Sequence, residues 1–412
     1  MDRNRIDRKD KLGIIFVMGA IVVSLLSVII HIRTGGMSLW DHKWLWSECA
    51  CTIRGIDSAE AIKAGVSIEG IDWLPDSTST FPWTKIIGVL IHGAFLEYQV
   101  SCVYYIVLNI FIFSAMIYLI YKKTNMIYGN KWAAVICGTC VCSSWYITDW
   151  IQMGNNAGIV CFLTISAICL LDEHEMLSGI LMGVAMIKPQ IVLPFYVVFL
   201  IEKKWKVIGT SAVIVTFSWF ASVLITGISP MRQLSNVLNM RVAMEGNYLV
   251  YGIFDSLRYR GISTTVVLFI SMAIGIICCI GATAFLKKKE LPQNLFFLYM
   301  VPAVVSVFWC YKSQCDYIIL MLNAVGLVEV WLNGKKTWKK LLVLLIGMII
   351  WMMKPFALLS AVFGMLGVWN RVEMSYRINR IDLYVKSAYL IVTIFLIAKA
   401  VQGEHKNETN DI

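Results

Sequence analysis

Long apolar runs separated by short polar segments make up most of this 412-residue chain. Many of the runs approach the roughly 20 residues that an α-helix needs to cross the hydrocarbon core of a bilayer. The pattern predicts membrane-spanning helices near residues 12–32, 100–121, 132–148, 156–171, 207–227, 262–286, 291–310, 316–332 and 382–401. Residues 84–97 are apolar but short, which predicts a half-helix or an interfacial helix.

Two longer apolar runs each contain a lysine followed by a proline. The first extends from Leu177 to Ile201 with Lys188-Pro189 near its centre, and the second contains Lys354-Pro355. A charge at the bilayer midplane costs roughly 3 kcal/mol on insertion scales, and a proline removes a helical hydrogen bond. These costs argue against one straight helix in either run.

The basic segments favour a hairpin in both runs. The strongly basic segments are 202–206 (EKKWK), 287–290 (KKKE) and 333–340 (NGKKTWKK). If 177–201 crossed the membrane once, basic segments would lie outside, against the positive-inside rule. If each run is instead a hairpin of two short helices broken at Lys-Pro, every strongly basic segment lies in the cytoplasm. The polar loops 33–83 and 228–261 then both face outward.

Composition defines the class of protein. The mean hydropathy is +0.72, 58% of the residues are hydrophobic and 15% are charged. The chain is therefore predicted to be an all-α, polytopic membrane protein of roughly 10–13 transmembrane or re-entrant helices. We expect one integral-membrane domain over residues 1–412, with a large first outer loop and C-terminal helices in 341–412.

The charges and cysteines argue against a nucleic-acid-binding protein and against a zinc protein. The net charge of +10 is scattered among short loops, which does not indicate a nucleic-acid partner. The basic N-terminus (MDRNRIDRKDK) precedes an apolar run that is too long for a signal peptide, so we expect a retained first span. We expect this span to lie in the plasma or inner membrane with its N-terminal end in the cytoplasm. The cysteines lie mostly in apolar segments, and their spacing does not indicate a zinc site.

The first outer loop is rich in acids and tryptophans. Asp41 follows the first span by about nine residues, so it should lie near the membrane surface. A carboxylate there can act as a general base if it reaches a substrate hydroxyl, or it can be a solvated loop acid. Each tryptophan can likewise anchor the loop at the membrane interface or stack on a sugar ring.

The second outer loop carries arginines that the positive-inside rule does not explain. They are Arg232, Arg241, Arg258 and Arg260. Bidentate recognition of a phosphate is one interpretation. Surface ion pairs with Glu245 and Asp255 are the other, and the sequence leaves both open.

Several short motifs in order resemble one enzyme family. Asp41, Trp46 and the segment 55–59 (GIDSA) follow the first span, and FPWTKIIGVL starts at residue 81. MGNNAGIVCFL at 153, AMIKPQIVLPF at 185 and CDYIILMLN at 315 come later. This series resembles the C-type (GT-C) integral-membrane glycosyltransferases, and most closely glycosyltransferase family 87. The chain departs from the family pattern by lacking Pro-Tyr after Asp57, by having Asn155 for Gln and by the order Asp316-Tyr317.

The resemblance implies a reaction and roles for particular residues. It implies inverting transfer of a hexose or pentose, with mannose as one candidate, from a polyprenyl-phosphate donor to an envelope glycan or glycolipid at the outer face of the membrane. It assigns the base to Asp41, or second to Asp57. The leaving phosphate would meet Lys188 and the four arginines, and the sugar or acceptor would contact Trp46, Asn155, Gln190 and Asp316. Asn155 and Asp316 can equally be helix caps.

Cofactor and function alternatives stay open on the sequence alone. Some C-type enzymes bind a divalent cation near the catalytic acid, so Asp41 could be a metal ligand instead of, or besides, a base. One alternative function is an envelope polysaccharide polymerase or ligase that uses diphosphate-linked oligosaccharides. Another is a flippase or transporter of lipid-linked sugars, because broken helices with a midplane lysine also occur there.

Overall fold

The computed structural model describes most of the chain between residues 39 and 332 and a few residues after it. The described residues are 39–75, 78, 80–142, 150, 152–243, 262–288, 296–309 and 314–332, together with short pieces between 342 and 392. The predicted first span, the Lys354-Pro355 run and Arg258 and Arg260 lie outside them, and only pieces of the predicted last span are included.

The described residues form helices joined by short connections. The α-helices are α1 (Trp40–Ile53), α2 (Ser58–Ala64), α3 (Pro82–Ile91), α4 (Tyr98–Tyr128), α5 (Asn130–Cys142), α6 (Ala157–Leu170), α7 (Glu175–Ala185), α8 (Pro189–Ile201), α9 (Trp205–Thr226), α10 (Pro230–Ala243), α11 (Thr264–Lys288), α12 (Met300–Phe308) and α13 (Met321–Leu332). Two 3₁₀ helices, Phe297–Tyr299 and Gln314–Leu320, lead into α12 and α13.

Four helical stretches in the described part are long and apolar enough to cross a membrane. They are Tyr98–Tyr128, Trp205–Thr226, Phe269–Lys287 and Cys315–Leu332. The prediction of an all-α polytopic membrane protein is therefore confirmed. The short apolar segment after the first loop forms α3, which has only 10 residues, as expected for a half-helix.

The run from Leu177 to Ile201 is broken where the sequence predicts. Helix α7 ends at Ala185, and α8 begins at Pro189, where a proline needs no intrahelical N–H partner. The start of α7 and the end of α8 meet, because Lys204 Nζ lies 3.2 Å from Asp172 Oδ1 and 3.7 Å from Glu175 Oε1. These ion pairs confirm the hairpin.

Other charged connections lie on the same side as the ends of the hairpin. Lys123 Nζ lies 2.8 Å from Glu173 Oε1, and Lys287 Nζ lies 2.9 Å from Glu202 Oε1. We call this side the charged face, defined by Lys123, Asp172, Glu173, Glu175, Glu202, Lys204 and Lys287. Since α8 has 13 residues, the hairpin tip at Lys188 stands about 20 Å from that face.

The core is built around α6, whose residues from Ala157 to Cys169 are all buried. It packs against α4 and α7, and α7 in turn packs closely on α9. Gly179 and Gly183 allow this approach, since a Cβ on Gly183 would lie 2.7 Å from the Ile214 Cβ. Glycines four residues apart are a frequent device for bringing membrane helices together.

The two polar loops fold against each other on the tip side of the hairpin. In the first loop, α1 packs on α3 through a small apolar cluster that contains Trp46, Cys49, Ala50 and Cys51. In the second, α10 docks on α2: Arg232 donates two hydrogen bonds to Glu60, of 3.2 and 3.0 Å, and Asn236 donates a third of 2.7 Å. The described part of the second loop, residues 228–243, therefore lies on the same side as the first loop, as predicted.

Candidate active site

Asp41 lies in the first turn of α1, at a position fixed by the backbone of another loop. Leu39 adopts a left-handed conformation (φ 39°), and its N–H donates to the carbonyl of Gln152 at 2.9 Å. Gly154 passes so close to α1 that a Cβ there would lie 2.6 Å from the His42 Cβ. The loop before α6 is thus held against the start of α1, which brings Asn155 next to Asp41.

Asn155 connects three parts of the chain through its side chain. Its Nδ2 donates to Asp41 Oδ2 at 2.6 Å, and its Oδ1 accepts from Lys188 Nζ at 2.7 Å. The same Oδ1 accepts from the N–H of Ala157, the first residue of α6, at 2.9 Å. One amide therefore serves both the start of α6 and the polar cluster, and the predicted contact of Asn155 with the sugar stays a prediction.

Lys188 at the hairpin tip completes this cluster with a fully buried carboxylate. Its ammonium forms an ion pair with Asp316, which lies in the 3₁₀ helix before α13. An ammonium has three N–H donors, and the contacts to Asp316 and Asn155 use two of them. Within the described part of the chain the third N–H of Lys188 has no acceptor, so it can donate to a ligand such as a phosphate oxygen.

We call Asp41, Asn155, Lys188 and Asp316 the polar cluster. It lies under the outer loops, at the tip of the hairpin and at the start of α6. Burial raises the pKa of Asp41, while the hydrogen bond from Asn155 and the charge of Lys188 oppose that rise. A carboxylate with a raised pKa is a stronger base than an exposed one, which suits it to removing a hydroxyl proton.

The described residues around Asp41 do not fit a divalent cation. Such ions need several oxygen or nitrogen ligands, but here the Lys188 ammonium fills the space between Asn155 Oδ1 and Asp316. Within the described part of the chain, His, Cys, Asp and Glu form no group of three that could hold a metal. No step of the chemistry below is therefore assigned to a metal.

Two buried histidines, His42 and His92, pack next to the polar cluster. The Nδ1 atoms of His42 and His92 lie 2.9 Å apart, and His42 Nε2 lies 3.1 Å from Ser101 Oγ. Burial lowers the pKa of His42 to about 4, so its ring is neutral at physiological pH. Tyr105 stacks on His92, and its hydroxyl donates to the backbone carbonyl of Asn155 at 3.0 Å. This hydrogen bond connects the histidine pair to the polar cluster.

A second buried carboxylate, Glu48, was not predicted as a site residue. Glu48 Oε1 accepts from Trp44 Nε1 at 2.6 Å, and Oε2 accepts from the hydroxyls of Thr78 and Thr80. Burial raises the pKa of Glu48. Asp41 and Glu48 are seven residues apart on one helix face, a spacing visible in the sequence. The burial of Glu48 depends on Thr78 and Thr80 folding over α1. The spacing of Asp41 and Glu48 in the sequence does not reveal that contact.

The other predicted catalytic and sugar-binding residues, Asp57, Trp46 and Gln190, are not members of the polar cluster. Asp57 is the N-cap of α2 and accepts from the N–H groups of Ala59 and Glu60, at 3.0 and 3.2 Å. Its other oxygen lies 3.9 Å from Lys85 Nζ. Trp46 is buried and donates to the Leu96 carbonyl. Gln190 is buried two residues after Lys188, and its backbone carbonyl accepts from Trp309 Nε1.

The structure describes the side chain of one predicted phosphate-binding arginine, Arg232. Arg232 is exposed and pairs with Glu60. Arg241 lies in α10, Arg258 and Arg260 are outside the described residues, and the assignment of all three to phosphate stays a prediction. An open groove of about 800 Å³ lies beside Glu60, lined by α2 and the turn after it, and no residue of the polar cluster lines it.

Comparison with known proteins identifies the family. The family model of glycosyltransferase family 87 matches residues 86–332, a stretch that contains Asn155, Lys188 and Asp316. The chain belongs to this family, and it is a glycosyltransferase of the membrane. No curated protein and no solved structure matches it.

Proposed function

We propose that this glycosyltransferase transfers a sugar from a polyprenyl-phosphate donor to a hydroxyl of an envelope glycan or glycolipid. The reaction would occur at the outer face of the plasma or inner membrane. The observation that carries the proposal is the polar cluster, because it combines a carboxylate, an amide and an ammonium at the end of a re-entrant hairpin. A displacement at a lipid phosphate needs a base for the acceptor proton and a positive charge for the leaving phosphate.

The step is a single displacement with inversion at the anomeric carbon. The acceptor oxygen forms a bond to the anomeric carbon while the bond from that carbon to the phosphate oxygen breaks. The acceptor proton passes to Asp41 Oδ1, which has no hydrogen-bond partner within the described part of the chain, whereas Oδ2 is held by Asn155. The phosphate leaves with the bonding electrons, and the third N–H of Lys188 stabilises its growing negative charge.

Asp316 has a supporting role in this scheme. It is fully buried and paired with Lys188, so it keeps the ammonium charged and directed to the cluster. A buried lysine without a partner would be expected to lose its proton. The ion pair therefore preserves the positive charge that the leaving phosphate requires.

The direct test replaces Asp41 with asparagine. Asp41→Asn keeps the shape but removes the base, so transfer of labelled sugar from a polyprenyl-phosphate donor should fall about 10²–10⁴-fold at an unchanged protein level. The matched control is Glu69→Gln, which removes an exposed acid of the same loop away from the polar cluster and should leave transfer unchanged. Full activity of Asp41→Asn would remove Asp41 from the mechanism.

A second pair of variants tests the lysine. Lys188→Met should raise the KM for the lipid donor, whereas Lys206→Met, which changes a side chain 76% exposed, should not. Because Lys188→Met leaves Asp316 buried without its partner, the double variant Lys188→Met/Asp316→Asn restores neutrality. If the double variant accumulates normally and still uses the donor well, Lys188 does not act on the phosphate.

A further inference from the structure

Three tryptophans form an aromatic surface beside Asp41. Trp40 and Trp44 lie four residues apart on α1, so they share one face of the helix. Trp73, from the segment after α2, packs against both, with ring centroids 5.0 Å from Trp40 and 6.4 Å from Trp44. Trp40 is 47% exposed, and the other two rings are partly buried. We call these three residues the tryptophan platform.

The platform is held rigidly and carries a positive charge. Trp44 Nε1 donates to the buried Glu48 at 2.6 Å, which fixes the indole ring. The Lys43 ammonium lies 5.5 Å from the ring centre of Trp73 and 5.8 Å from that of Tyr98. An ammonium at this distance is attracted by the ring face, and its N–H groups can also donate to hydroxyls.

The surroundings of the platform differ from the apolar exposed surface of the helices. Exposed side chains on α4 include Val103, Val107 and Phe111, as expected for a surface that meets lipid tails. Around the platform, Asp72 is exposed and Asp41 and Lys43 are partly exposed. A ligand of this surface must therefore offer both an apolar face and hydroxyl groups.

The geometry points to a sugar ring of the acceptor as that ligand. A pyranose ring presents C–H groups on its face and hydroxyls at its edge, so it can lie on an indole while its hydroxyls meet Lys43. Trp40 immediately precedes Asp41, and consecutive Cα atoms are about 3.8 Å apart. A ring stacked on Trp40 therefore lies on the residue next to the proposed base, and because the two side chains leave the helix about 100° apart, a hydroxyl at the ring edge is the part directed toward Asp41.

We propose that Trp40, Trp73 and Lys43 form the acceptor subsite of this enzyme. The acceptor would then be a glycan or glycolipid whose terminal sugar stacks on Trp40 with one hydroxyl directed to Asp41. This proposal rests on the proposed function and specifies its acceptor. It also moves the sugar-contacting role from the buried Trp46 to an exposed tryptophan one turn or more earlier in α1.

Direct binding tests the subsite without relying on turnover. The protein carrying Asp41→Asn is placed in lipid nanodiscs with methyl α-mannopyranoside, methyl β-galactopyranoside or methyl β-glucopyranoside. Saturation-transfer NMR should detect contact on the ring C–H protons of at least one glycoside. Adding Trp40→Ala or Trp73→Ala should reduce that signal at least about fivefold, while Trp40→Phe should retain most of it, because a phenyl ring still stacks.

The matched control is Trp205→Ala at the start of α9, beside Lys204 of the charged face. Trp205 is 61% exposed, comparable with Trp40, but it lies at the opposite end of the hairpin. Its replacement should leave the glycoside signal unchanged. Equal signals with and without Trp40, equal loss in the Trp205 variant, or no binding of any glycoside would each overturn the subsite.

Kinetics in the otherwise unaltered enzyme separates this proposal from the proposed function. Trp40→Ala should raise the acceptor KM about 10-fold or more with the donor KM unchanged, whereas Asp41→Asn should lower transfer about 10²–10⁴-fold. If Asp41→Asn is inactive and Trp40→Ala keeps the acceptor KM, the subsite is wrong and the proposed function stands. If Trp40→Ala only lowers the amount of protein in the membrane, the tryptophan is an interfacial anchor and the subsite is again wrong.

Discussion

Asn155 is the residue through which the parts of the site depend on one another. Its Nδ2 holds Asp41, while its Oδ1 holds both Lys188 and the first N–H of α6. A shorter side chain at this position would free all three partners at once. The chain has asparagine where the family pattern usually has glutamine, and here its reach matches the short distance from the helix start to Asp41.

The pH dependence of transfer should report this contact. Asp41 accepts a proton only when ionised, so the rate should fall as the pH drops through its pKa, which burial places above the ordinary aspartate value. The Asn155 hydrogen bond stabilises the ionised form. Asn155→Ala should therefore raise the pKa of Asp41 further and move the acid limb of kcat/KM to higher pH. An acid limb that stays in place, measured over about pH 4–8, would contradict the contact.

Among the elements, the α7–α8 hairpin decides where Lys188 can be. Its proline begins α8, so the break leaves Lys188 at a tip under the outer loops instead of in a lipid-exposed helix. Trp83 Nε1 donates to the Met186 carbonyl at 2.9 Å, and Thr84 Oγ1 to the Ile187 carbonyl at 3.3 Å. These bonds satisfy backbone groups that the break would otherwise leave without partners inside the membrane.

Close packing of α7 on α9 holds the hairpin, and one substitution made at two sites tests it. Gly183→Ala places a methyl group 2.7 Å from the Ile214 Cβ, whereas Gly209 in α9 has open space around it. Overpacking typically costs about 1–3 kcal/mol, so Gly183→Ala should lower the Tm of the detergent-solubilised protein. Gly209→Ala should keep or raise the Tm, because alanine favours helix by up to about 1 kcal/mol over glycine. Equal effects of the two changes would argue against this helix contact.

At the scale of the whole molecule, charge separates two sides. The charged face gathers Lys123, Lys204 and Lys287 with their acidic partners. The polar cluster, the tryptophan platform and both outer loops belong to the other end of the hairpin. The positive-inside rule predicts that the charged face lies in the cytoplasm and that the proposed chemistry faces outward.

Thiol labelling in intact cells tests this orientation. On a Cys278→Ser background, which removes an exposed native cysteine, a cysteine is introduced by Ser67→Cys on the loop side or by Asp172→Cys on the charged face. A membrane-impermeant maleimide should label the first variant in intact cells and the second only after the membrane is opened. The reverse pattern would invert the topology and place the site in the cytoplasm.

The sequence by itself determined the fold class, the positions of four long apolar helices and the hairpin at Lys188-Pro189. These follow from apolar length and from the distribution of charges, which depend on the transfer of single residues between water and lipid. The family also follows from local motifs, each only a few residues long. The sequence likewise pointed to Asp41, Asn155, Lys188 and Asp316, but with no indication that they touch.

Only the tertiary structure decided which candidates meet. Asn155 lies 114 residues from Asp41 and 33 from Lys188, and Asp316 lies 128 residues beyond Lys188. Such contacts depend on how helices pack, which no local pattern encodes. The same packing made Asp57 a helix cap, buried Trp46 and Glu48, and left Trp40 exposed beside Asp41. The sequence around a loop tryptophan does not show whether the side chain is buried or exposed, because burial depends on which residues pack against it in space.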